Sequence, residues 1–536
     1  MNSNHHASHV YLQYVQELLP NLNANIFTKI NSILEQTNWD EPDSCTDWHN
    51  IAVVALIEAE QCIDDLMTRS VYMEMAFEAF NNSFDTEQHP LCAAHIALFH
   101  NIIGDKTRAL EIAFNSLVNT LQTAYTSFEH SSNYLLYIPH QNKINAAEKQ
   151  NYLEQIWLAE NSYQQALLLL GKLVTCSQLV FYSAVSRRFL HIADQITPNS
   201  VNLWLKLGIS YVMSGQPEGI LYLQKARKLE PESAPILHSL YLAYRDLNQI
   251  EIAQYWQETS KQFYQTQSSS LDWYWTQLPQ DSPFTYINFE RKLIMAVEPS
   301  LRSIATSVLI AEQDWFEKEM EFWRNNIQPG MTVIDVGANV GVYTFSAALK
   351  VGSEGKVLAV EPFSVCVRCL QETCRINQLS WVKVCAGAAS DTQSSIKLLL
   401  HSANELNQVI VGDAAENLSP GSFEEVPCFT LDSLIEQEGI ENVDFLKIDA
   451  EGHEMAVLAG SQQLINQFFP VILYENIAGS QGSNVEVAQY LSNLGYALFY
   501  YQPYLQKLIP VNSAQEFQEQ LNFIAVPPHK NYMFNF

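Results

Sequence analysis

A short apolar run that ends in a glycine-bearing turn restricts the fold of this chain more than any other feature. Residues 333–336 read as a strand, the turn DVGANVG follows at 335–341, and a helical pattern begins after it. A strand, a glycine turn and a helix in this order form the nucleotide-binding corner of a doubly wound sheet. Gly337 and Gly341 permit the tight turn and let the backbone approach a ligand closely. The sequence therefore predicts an α/β domain with a ligand site at this corner.

A second strand-like run ends in a carboxylate. It covers 356–360 and leads into Glu361-Pro362, about 20 residues beyond the turn. Because neighbouring parallel strands end at the same edge of a sheet, we expect Glu361 beside the turn. There it can accept both ribose hydroxyls of an adenosine ligand.

NAD and S-adenosylmethionine both suit this geometry. A dinucleotide site requires GxGxxG, because the pyrophosphate lies over the helix N-terminus. Here Asn339 stands at the middle glycine, and Val342, Tyr343 and Thr344 follow Gly341. S-adenosylmethionine has no phosphate and carries an amino acid, so it requires more carboxylate and amide side chains. The sequence favours the methyl donor, with a nicotinamide oxidoreductase as the alternative.

Strand-like and helical runs continue to alternate towards the end of the chain. The remaining strand-like runs are 381–386, 443–449, 470–474 and 521–526. Such alternation is typical of a parallel sheet covered by helices. Up to about residue 265, by contrast, nearly all of the chain reads as amphipathic helix.

The helical half contains an internal repeat of about 33 residues. Ala193 and Pro198 recur as Ala226 and Pro231, and Leu207 and Tyr211 recur as Leu240 and Tyr244. A repeat of this length indicates pairs of antiparallel helices stacked on their neighbours. Residues 199–263 resemble the tetratricopeptide repeat, with Gly219 where that family usually has alanine. A concave surface that binds a protein partner is one interpretation, and a helical spacer without a ligand is the other.

The second half resembles the FkbM-type methyltransferase family. The motifs that carry the resemblance are DVGANVGVYTF, AVEPF, Asn377, GAASD, FTLDSL and FLKIDAEGHEMAVLAG, in matching order over residues 284–526. The resemblance implies a class I methyltransferase sheet, S-adenosylmethionine as donor and transfer to an oxygen. Acceptors in this family are often sugars or other small hydroxylated molecules. Residues 289–325 depart from the family pattern, and this region would contribute a cover over the acceptor pocket.

Cofactor-binding roles follow from these motifs. Gly337, Ala338, Asn339 and Gly341 are expected to line the methionine end of the donor, and Glu361 is expected to hold the ribose. Two further carboxylates have alternative roles that the sequence leaves open. Asp335 either orients the turn or meets the donor ammonium, and Asp391 either approaches the adenine amine or caps a turn.

Three candidates for the catalytic base follow the fourth strand of the expected sheet: Asp449, Glu451 and His453. An acceptor hydroxyl must lose its proton as it attacks the methyl group, so a general base helps. Histidine has the best-matched pKa, although Glu451 and Glu454 also complement a helix N-terminus. A divalent metal on Asp449, Glu475 and Asn476 is a further alternative, although we expect the site to hold no metal.

Composition excludes several classes of partner. A formal net charge of −29 repels nucleic acid and anionic membranes. No apolar run approaches the roughly 20 residues needed to cross a bilayer, and the first residues lack the pattern of a secretory signal. We therefore expect a cytoplasmic protein. Cys366, Cys369 and Cys374 lack the further ligands of a zinc site and are expected to be small buried residues of a helix.

These features predict a multidomain protein. It consists of an N-terminal all-α helical repeat (TPR-like) region at 1–265, a linker at 266–283 and a C-terminal α/β Rossmann-like class I methyltransferase domain at 284–530. The predicted function is S-adenosylmethionine-dependent O-methylation of a small-molecule or glycan hydroxyl, with a possible protein partner on the repeats. The alternative from another class is a scaffold whose second domain binds the donor weakly or not at all.

Overall fold

The fold is described from a computed structural model of the 536-residue chain. The described residues are 3–20, 24–62, 65–123, 133–139, 146–159, 161–178, 180–266, 271–401, 407–410, 422–476, 483–503, 505–511, 517 and 520–534. They form two compact units, residues 1–207 and residues 208–536. Among the described helices, none combines the length and apolar character required to cross a bilayer.

The first unit is helical throughout its regular structure. Its described helices are Ser3–Leu18, Ala24–Gln36, Cys45–Gln61, Leu66–Thr86, Pro90–Ile102, Lys106–Thr123, Ala146–Trp157, Ser162–Cys176 and Ala184–Ile196, and Val201–Met213 begins in it. Side-chain caps define several helix starts: Ser44 accepts the N–H of Asp47, and the Asp47 carboxylate accepts the N–H of Ser44 in return. The all-helical N-terminal region predicted from the sequence is confirmed.

An extended segment, residues 133–139, runs through the interior of this unit. It belongs to no sheet, so side chains must satisfy its backbone. The Tyr11 hydroxyl bonds both the N–H and the C=O of Leu136, each at 3.0 Å. The Tyr14 hydroxyl bonds the N–H and C=O of Ile138 at 2.6 and 2.8 Å. These bonds allow a segment without regular structure to form part of the apolar core.

Three buried histidines surround this segment. His49, His89 and His95 are at most 5% exposed. His95 Nε2 accepts the N–H of Tyr137 at 3.0 Å, so Nδ1, 2.9 Å from the Leu91 carbonyl, must carry the proton. Burial lowers the pKa of His89 and of His95 to about 4, and that of His49 well below its usual value. The folded unit therefore holds all three rings neutral.

The second unit begins with the remaining repeat helices, Gly219–Leu229, Ala234–Asp246 and Ile250–Thr266. Gly208 and Gly219 lie at a close helix approach, because a Cβ on Gly219 would lie 2.3 Å from the Gly208 carbonyl oxygen. This contact explains why glycine replaces the alanine of the repeat pattern at position 219. The repeat spacing thus corresponds to helices that pack closely.

The segment predicted as a linker, residues 266–283, contains regular structure where it is described. Leu271–Gln277 forms a 3₁₀ helix in which Trp273 and Trp275 are at most 2% exposed. The Trp275 ring stacks on His238 with centroids 4.5 Å apart. Burial of the two indoles packs the segment against the helices before it.

A mixed eight-stranded sheet forms the centre of the second unit. The strands are β3 (Thr332–Val336), β4 (Lys356–Glu361), β5 (Val382–Ala386), β10 (Phe445–Ile448), β11 (Val471–Glu475), β12 (Ala497–Gln502), β13 (Lys507–Pro510) and β14 (Asn522–Val526). Their order in the sheet is β13-β12-β14-β11-β10-β3-β4-β5. Strands β3, β4, β5, β10 and β11 are parallel, and β14, β12 and β13 are antiparallel. The expected α/β architecture is confirmed.

Helices cover this sheet, and apolar residues of β3, β4, β10 and β11 fill its core. The described helices of the unit beyond Thr266 are Ile304–Glu312, Glu319–Asn326, Val342–Val351, Ser364–Asn377, Leu431–Gln437, Glu454–Ala459, Gln462–Phe468 and Val485–Asn493. Cys366 and Cys369 are fully buried on Ser364–Asn377, as expected, and Cys374 is partly buried. The chain order reverses between β3 and its two neighbours β4 and β10, and ligands bind at such a switch point.

Two smaller sheets accompany the main one. Strands β6 (Ala388–Ala389), β7 (Ser394–Leu399), β8 (Gln408–Ile410) and β9 (Phe423–Phe429) form a four-stranded sheet, and β1 (Thr285–Phe289) pairs with β2 (Leu293–Val297). Asn377 holds the hairpin, because its side chain accepts the N–H of Ile294 at 3.0 Å and donates to the Ile294 carbonyl at 2.7 Å. These bonds satisfy the Ile294 backbone on the edge of β2 that does not pair with β1, where β2 is buried.

The buried histidines predict acid lability of the helical unit. A group whose folded pKa is depressed binds its proton first in the unfolded chain, so stability falls as pH drops from about 6.5 to about 4. For His95 alone the loss amounts to about 3 kcal/mol. We expect the thermal unfolding midpoint to fall markedly between about pH 7 and about pH 5. His95→Gln should reduce this pH dependence and His5→Gln, an exposed control, should leave it unchanged. An equal pH dependence in both variants would contradict the assignment.

Candidate functional site

The glycine corner has the geometry that the sequence predicted. Gly337 has φ +74°, Asn339 has φ +49° and Gly341 has φ +99°. The N–H groups of Gly337 and Ala338 both donate to the Val360 carbonyl, at 3.0 and 3.1 Å. A Cβ on Gly337 would lie 1.7 Å from the Asp449 carbonyl oxygen, so no other residue fits. The turn therefore brings β3, β4 and the residues after β10 into direct contact.

Glu361 ends β4 beside this turn. Its Oε2 accepts the N–H of Asn339 at 2.8 Å, and its Oε1 accepts the N–H of Phe363 at 2.7 Å. Burial raises the pKa of Glu361 to about 7 against the effect of these two bonds. Each carboxylate oxygen has further acceptor capacity beyond its backbone bond. Glu361 therefore both braces the glycine corner and offers an acceptor at the position expected for ribose hydroxyls.

Asp335, near the end of β3, is fully buried. Its Oδ2 accepts the hydroxyl of Thr344 at 2.6 Å, whereas its Oδ1 has no hydrogen-bond partner. The Nζ of Lys447 lies 3.9 Å from Oδ1. Burial raises the pKa of Asp335, and the ammonium of Lys447 opposes that shift. An acceptor atom without a hydrogen bond at a ligand corner suits a cationic ligand group.

Three carboxylates converge after β10 and β11. Asp449, Glu451 and Glu475 each have an oxygen within 4.8 Å of the others. Burial, followed by the charge of Asp449, raises the pKa of Glu451 to about 8 and strongly raises that of Glu475. One cation could be shared at this spacing, but exposed acidic groups are common without an ion, and we assign no metal.

Asn476 does not join this group, in contrast to the metal alternative that the sequence left open. Its amide donates to the Phe517 and Gln520 carbonyls at 2.6 and 2.8 Å. Its Oδ1 accepts the N–H of Asn484 at 3.2 Å. These bonds hold the chain after β11, because Asn476 is fully buried and all its polar atoms need partners. The third side chain beside Asp449 and Glu475 is therefore Glu451, whereas the sequence suggested Asn476.

Glu454 organises the turn that presents Glu451. Its Oε1 accepts the N–H groups of Ala450 and Gly452 at 3.0 and 3.1 Å, and its Oε2 accepts the Asn484 amide at 3.0 Å. Glu451 itself has φ +49°. The hydrogen-bonded turn stabilises this left-handed conformation, so Glu454 acts through the loop and Glu451 remains available to a ligand.

His453 lies with a different set of residues. Its Nε2 is 2.9 Å from the Ser390 hydroxyl, which donates to Asp391 Oδ1 at 3.2 Å. Burial lowers the pKa of His453, and Asp391 opposes this shift. The structure thus brings Asp449 and Glu451 together with Glu475, and His453 together with Asp391. The sequence treated the three base candidates as one group because they are only two residues apart.

Two residues that the sequence analysis did not select also reach the site. Glu317, which precedes the helix Glu319–Asn326, accepts the Tyr343 hydroxyl at 2.7 Å and the Asn522 amide at 3.0 Å. Lys447, in β10, donates to Asp449 Oδ2 at 2.8 Å. A lysine inside the apolar run FLKI was a signal for a buried charge. No local pattern distinguishes Glu317 from its acidic neighbours.

A matched pair of substitutions tests the contact at the glycine corner. Gly337→Ala should lower the free energy of unfolding by at least about 4 kcal/mol, because the new Cβ meets a fixed carbonyl oxygen. Gly330→Ala should cost only about 1–2 kcal/mol, since Gly330 also has positive φ but nothing lies within 4 Å of its Cβ position. Urea unfolding measures both. Similar losses would show that the backbone conformation alone requires glycine at position 337.

Comparison with known proteins agrees with the geometry. Residues 335–498 match the family model described as Methyltransferase FkbM domain. No curated protein matches the chain.

Solved structures similar to this chain include three bacterial methyltransferases. The methyltransferase FkbM from Methylobacillus flagellatus KT is 14% identical over 42% of this chain and 53% of its own, with a TM-score of 0.25. A SAM dependent methyltransferase from Aquifex aeolicus is 18% identical over 39% and 87%, with a TM-score of 0.21. A SAM-dependent O-methyltransferase from Thermotoga maritima is 15% identical over 40% and 66%, with a TM-score of 0.21. This chain spans about half the length of the first, and TM-scores this low support no conclusion about activity. The family match confirms the resemblance seen in the sequence, since residues 335–498 match the Methyltransferase FkbM domain model.

Proposed function

We propose that this chain is an S-adenosylmethionine-dependent methyltransferase that methylates a hydroxyl of a sugar, glycan or other small molecule. The observation that carries the proposal is the convergence of the glycine corner and two carboxylates. Glu361 accepts the N–H of Asn339 within the turn, and on the adjacent strand lies Asp335 Oδ1, which accepts no hydrogen bond and is 3.9 Å from the Lys447 ammonium. A ribose, an ammonium and a sulfonium are the groups that such a set of acceptors suits.

The residues at this edge fit the donor in three ways. Gly337 and Gly341 have the positive φ that the tight turn requires, and Ala338 and Asn339 would line the methionine end of the donor. Glu361 would hold the ribose hydroxyls, Asp335 would face the ammonium, and Asp391 would approach the adenine. When bound, the donor supplies a methyl group on a positively charged sulfur. The surrounding carboxylates favour the binding of a positively charged ligand over that of an anionic ligand.

Asp449 is the base in this proposal. The Asp449 carboxylate would accept the proton that the acceptor hydroxyl loses, while a bound donor would supply the methyl group to the acceptor oxygen. Glu451, with its pKa at about 8, holds a proton at neutral pH and donates a hydrogen bond to the acceptor. His453, held at Ser390, supports the adenine side. Positioning of the acceptor oxygen in line with the methyl group supplies much of the rate.

The helical repeats are assigned a docking role. Helices from residue 1 to about 265 would bind a partner or position the acceptor, and the methyltransferase domain would extend over 284–530. Support for this comes from the repeat spacing and the close helix contact at Gly219.

Calorimetric titration of the full chain with S-adenosylmethionine tests the proposal. Binding at micromolar to low millimolar donor supports it, and silence at millimolar donor would favour the scaffold. NAD in the same assay should give no heat, and binding of NAD instead would favour an oxidoreductase. Incubation of cell extract with the protein and donor carrying a labelled methyl group, followed by mass spectrometry, should then identify a labelled hydroxylated product.

Glu361→Ala should weaken donor affinity at least about tenfold, a loss of about 1.4 kcal/mol, because the ribose loses its acceptor. Calorimetry measures the affinity, and circular dichroism checks that the fold is retained. Glu354→Ala, an exposed carboxylate before the same strand, should bind the donor like the unmodified chain. Unchanged affinity in Glu361→Ala would remove this residue from the donor site.

Asp449→Asn should lower turnover more than donor binding, with methyl transfer reduced about 100-fold or more, because the amide cannot accept the hydroxyl proton. The rate of label transfer to the acceptor found in extract measures turnover, and calorimetry measures binding. Glu441→Gln, an exposed control before β10, should keep both. A wild-type rate in Asp449→Asn would assign the base to another residue.

A further inference from the structure

Lys447 occupies a central position in the sheet. It lies in β10, and its register partner in the parallel strand β3 is Asp335. The side chain is 6% exposed. A lysine is rarely buried to this extent without paired carboxylates. Its location at the switch point places a fixed positive charge where the proposed donor and acceptor regions meet.

The ammonium contacts both of these regions. Its Nζ lies 2.8 Å from Asp449 Oδ2 and 3.9 Å from Asp335 Oδ1. It also lies 4.8 Å from the centroid of the Tyr343 ring, whose hydroxyl donates to Glu317. Oδ1 of Asp335 has no hydrogen bond, so the ammonium is its closest described stabilising charge. Removal of Lys447 would leave a carboxylate enclosed by protein without an opposite charge.

The backbone makes this arrangement stiff. The carbonyl of Asp449 touches the glycine corner so closely that a Cβ on Gly337 would lie 1.7 Å from it. A change in the position of Asp449 therefore reaches the turn directly. The two carboxylates, the turn and the ammonium form one set of contacts across β3 and β10, in which each member limits the others.

We propose that Lys447 is a positioning residue, whose ammonium holds the carboxylates of Asp335 and Asp449 in one arrangement beside the glycine corner and thereby prepares the site for the cationic donor. This inference rests on the proposed function. Lys447 acts through its two partners and does not itself touch the donor. The ammonium of Lys447 favours the ionised form of both carboxylates. This matters for binding, because a positively charged ligand binds to carboxylates only while they are ionised.

Calorimetric titration with S-adenosylmethionine at about pH 7 and about pH 9 tests the role of the charge. Lys447→Met should weaken binding at least about tenfold at the lower pH and recover part of it at the higher pH. The reason is that the Lys447 ammonium opposes the burial that raises the pKa of Asp335, so its removal raises this pKa further and a higher pH favours the carboxylate again. Lys447→Arg, which keeps the charge, should retain more affinity than Lys447→Met at about pH 7. Lys383→Met, an exposed lysine of β5 paired with Glu438 at 3.3 Å, should match the unmodified chain at both values.

A double variant keeps the test decisive if Lys447→Met does not fold. Asp335→Asn combined with Lys447→Met removes both buried charges, so it should fold, bind the donor weakly and show no recovery at high pH. Wild-type affinity in either folded variant would overturn the positioning role while leaving the proposed function intact. Silence of the unmodified chain towards the donor would overturn the proposed function and this inference with it.

Discussion

The meeting of parallel strand ends at one edge of the sheet is the constraint on which the candidate site depends. Strands β3, β4, β10 and β11 all end there, and the chain order reverses around β3. Glycine at position 337 lets the turn after β3 contact the backbone after β10. The register of β3 against β10 pairs Lys447 with Asp335, so the ammonium lies near both Asp335 and Asp449. The sheet order therefore determines which charged groups act on one another.

This edge concentrates negative charge in a place where water is largely excluded. Burial and mutual repulsion raise the pKa of Glu361 to about 7 and that of Glu451 to about 8. Groups with such shifts cluster at functional sites, since a protein gains no stability from burying carboxylates near each other. A positively charged ligand would relieve the repulsion. The same electrostatics explains why one lysine in β10 has several carboxylates within its reach.

Local sequence patterns predicted six of the eight strands of the main sheet, because an apolar run followed by turn residues marks each of them. The runs at 356–360 and 470–474 correspond to β4 and β11, each displaced by no more than a residue. The patterns did not indicate β12, β13 or the strands of the two smaller sheets, and local composition does not indicate which polar-flanked residues are buried. Trp273 and Trp275 pack inside the unit although polar residues flank them. The partners of Asn476, likewise, lie about 40 residues away in the chain, beyond the reach of any local pattern.

The sequence by itself determined the glycine corner, the acidic residue after the second strand-like run and the resemblance to the FkbM family model. Those features are local, because neighbouring residues are enough to predict φ > 0 at Gly337 and a carboxylate at the end of an apolar run. Only the tertiary structure decided which side chains meet. It brought Glu317 to Tyr343 and Glu475 to Asp449, and it directed His453 to Ser390. Such contacts depend on strand order and on the exclusion of water, neither of which a short stretch of sequence specifies.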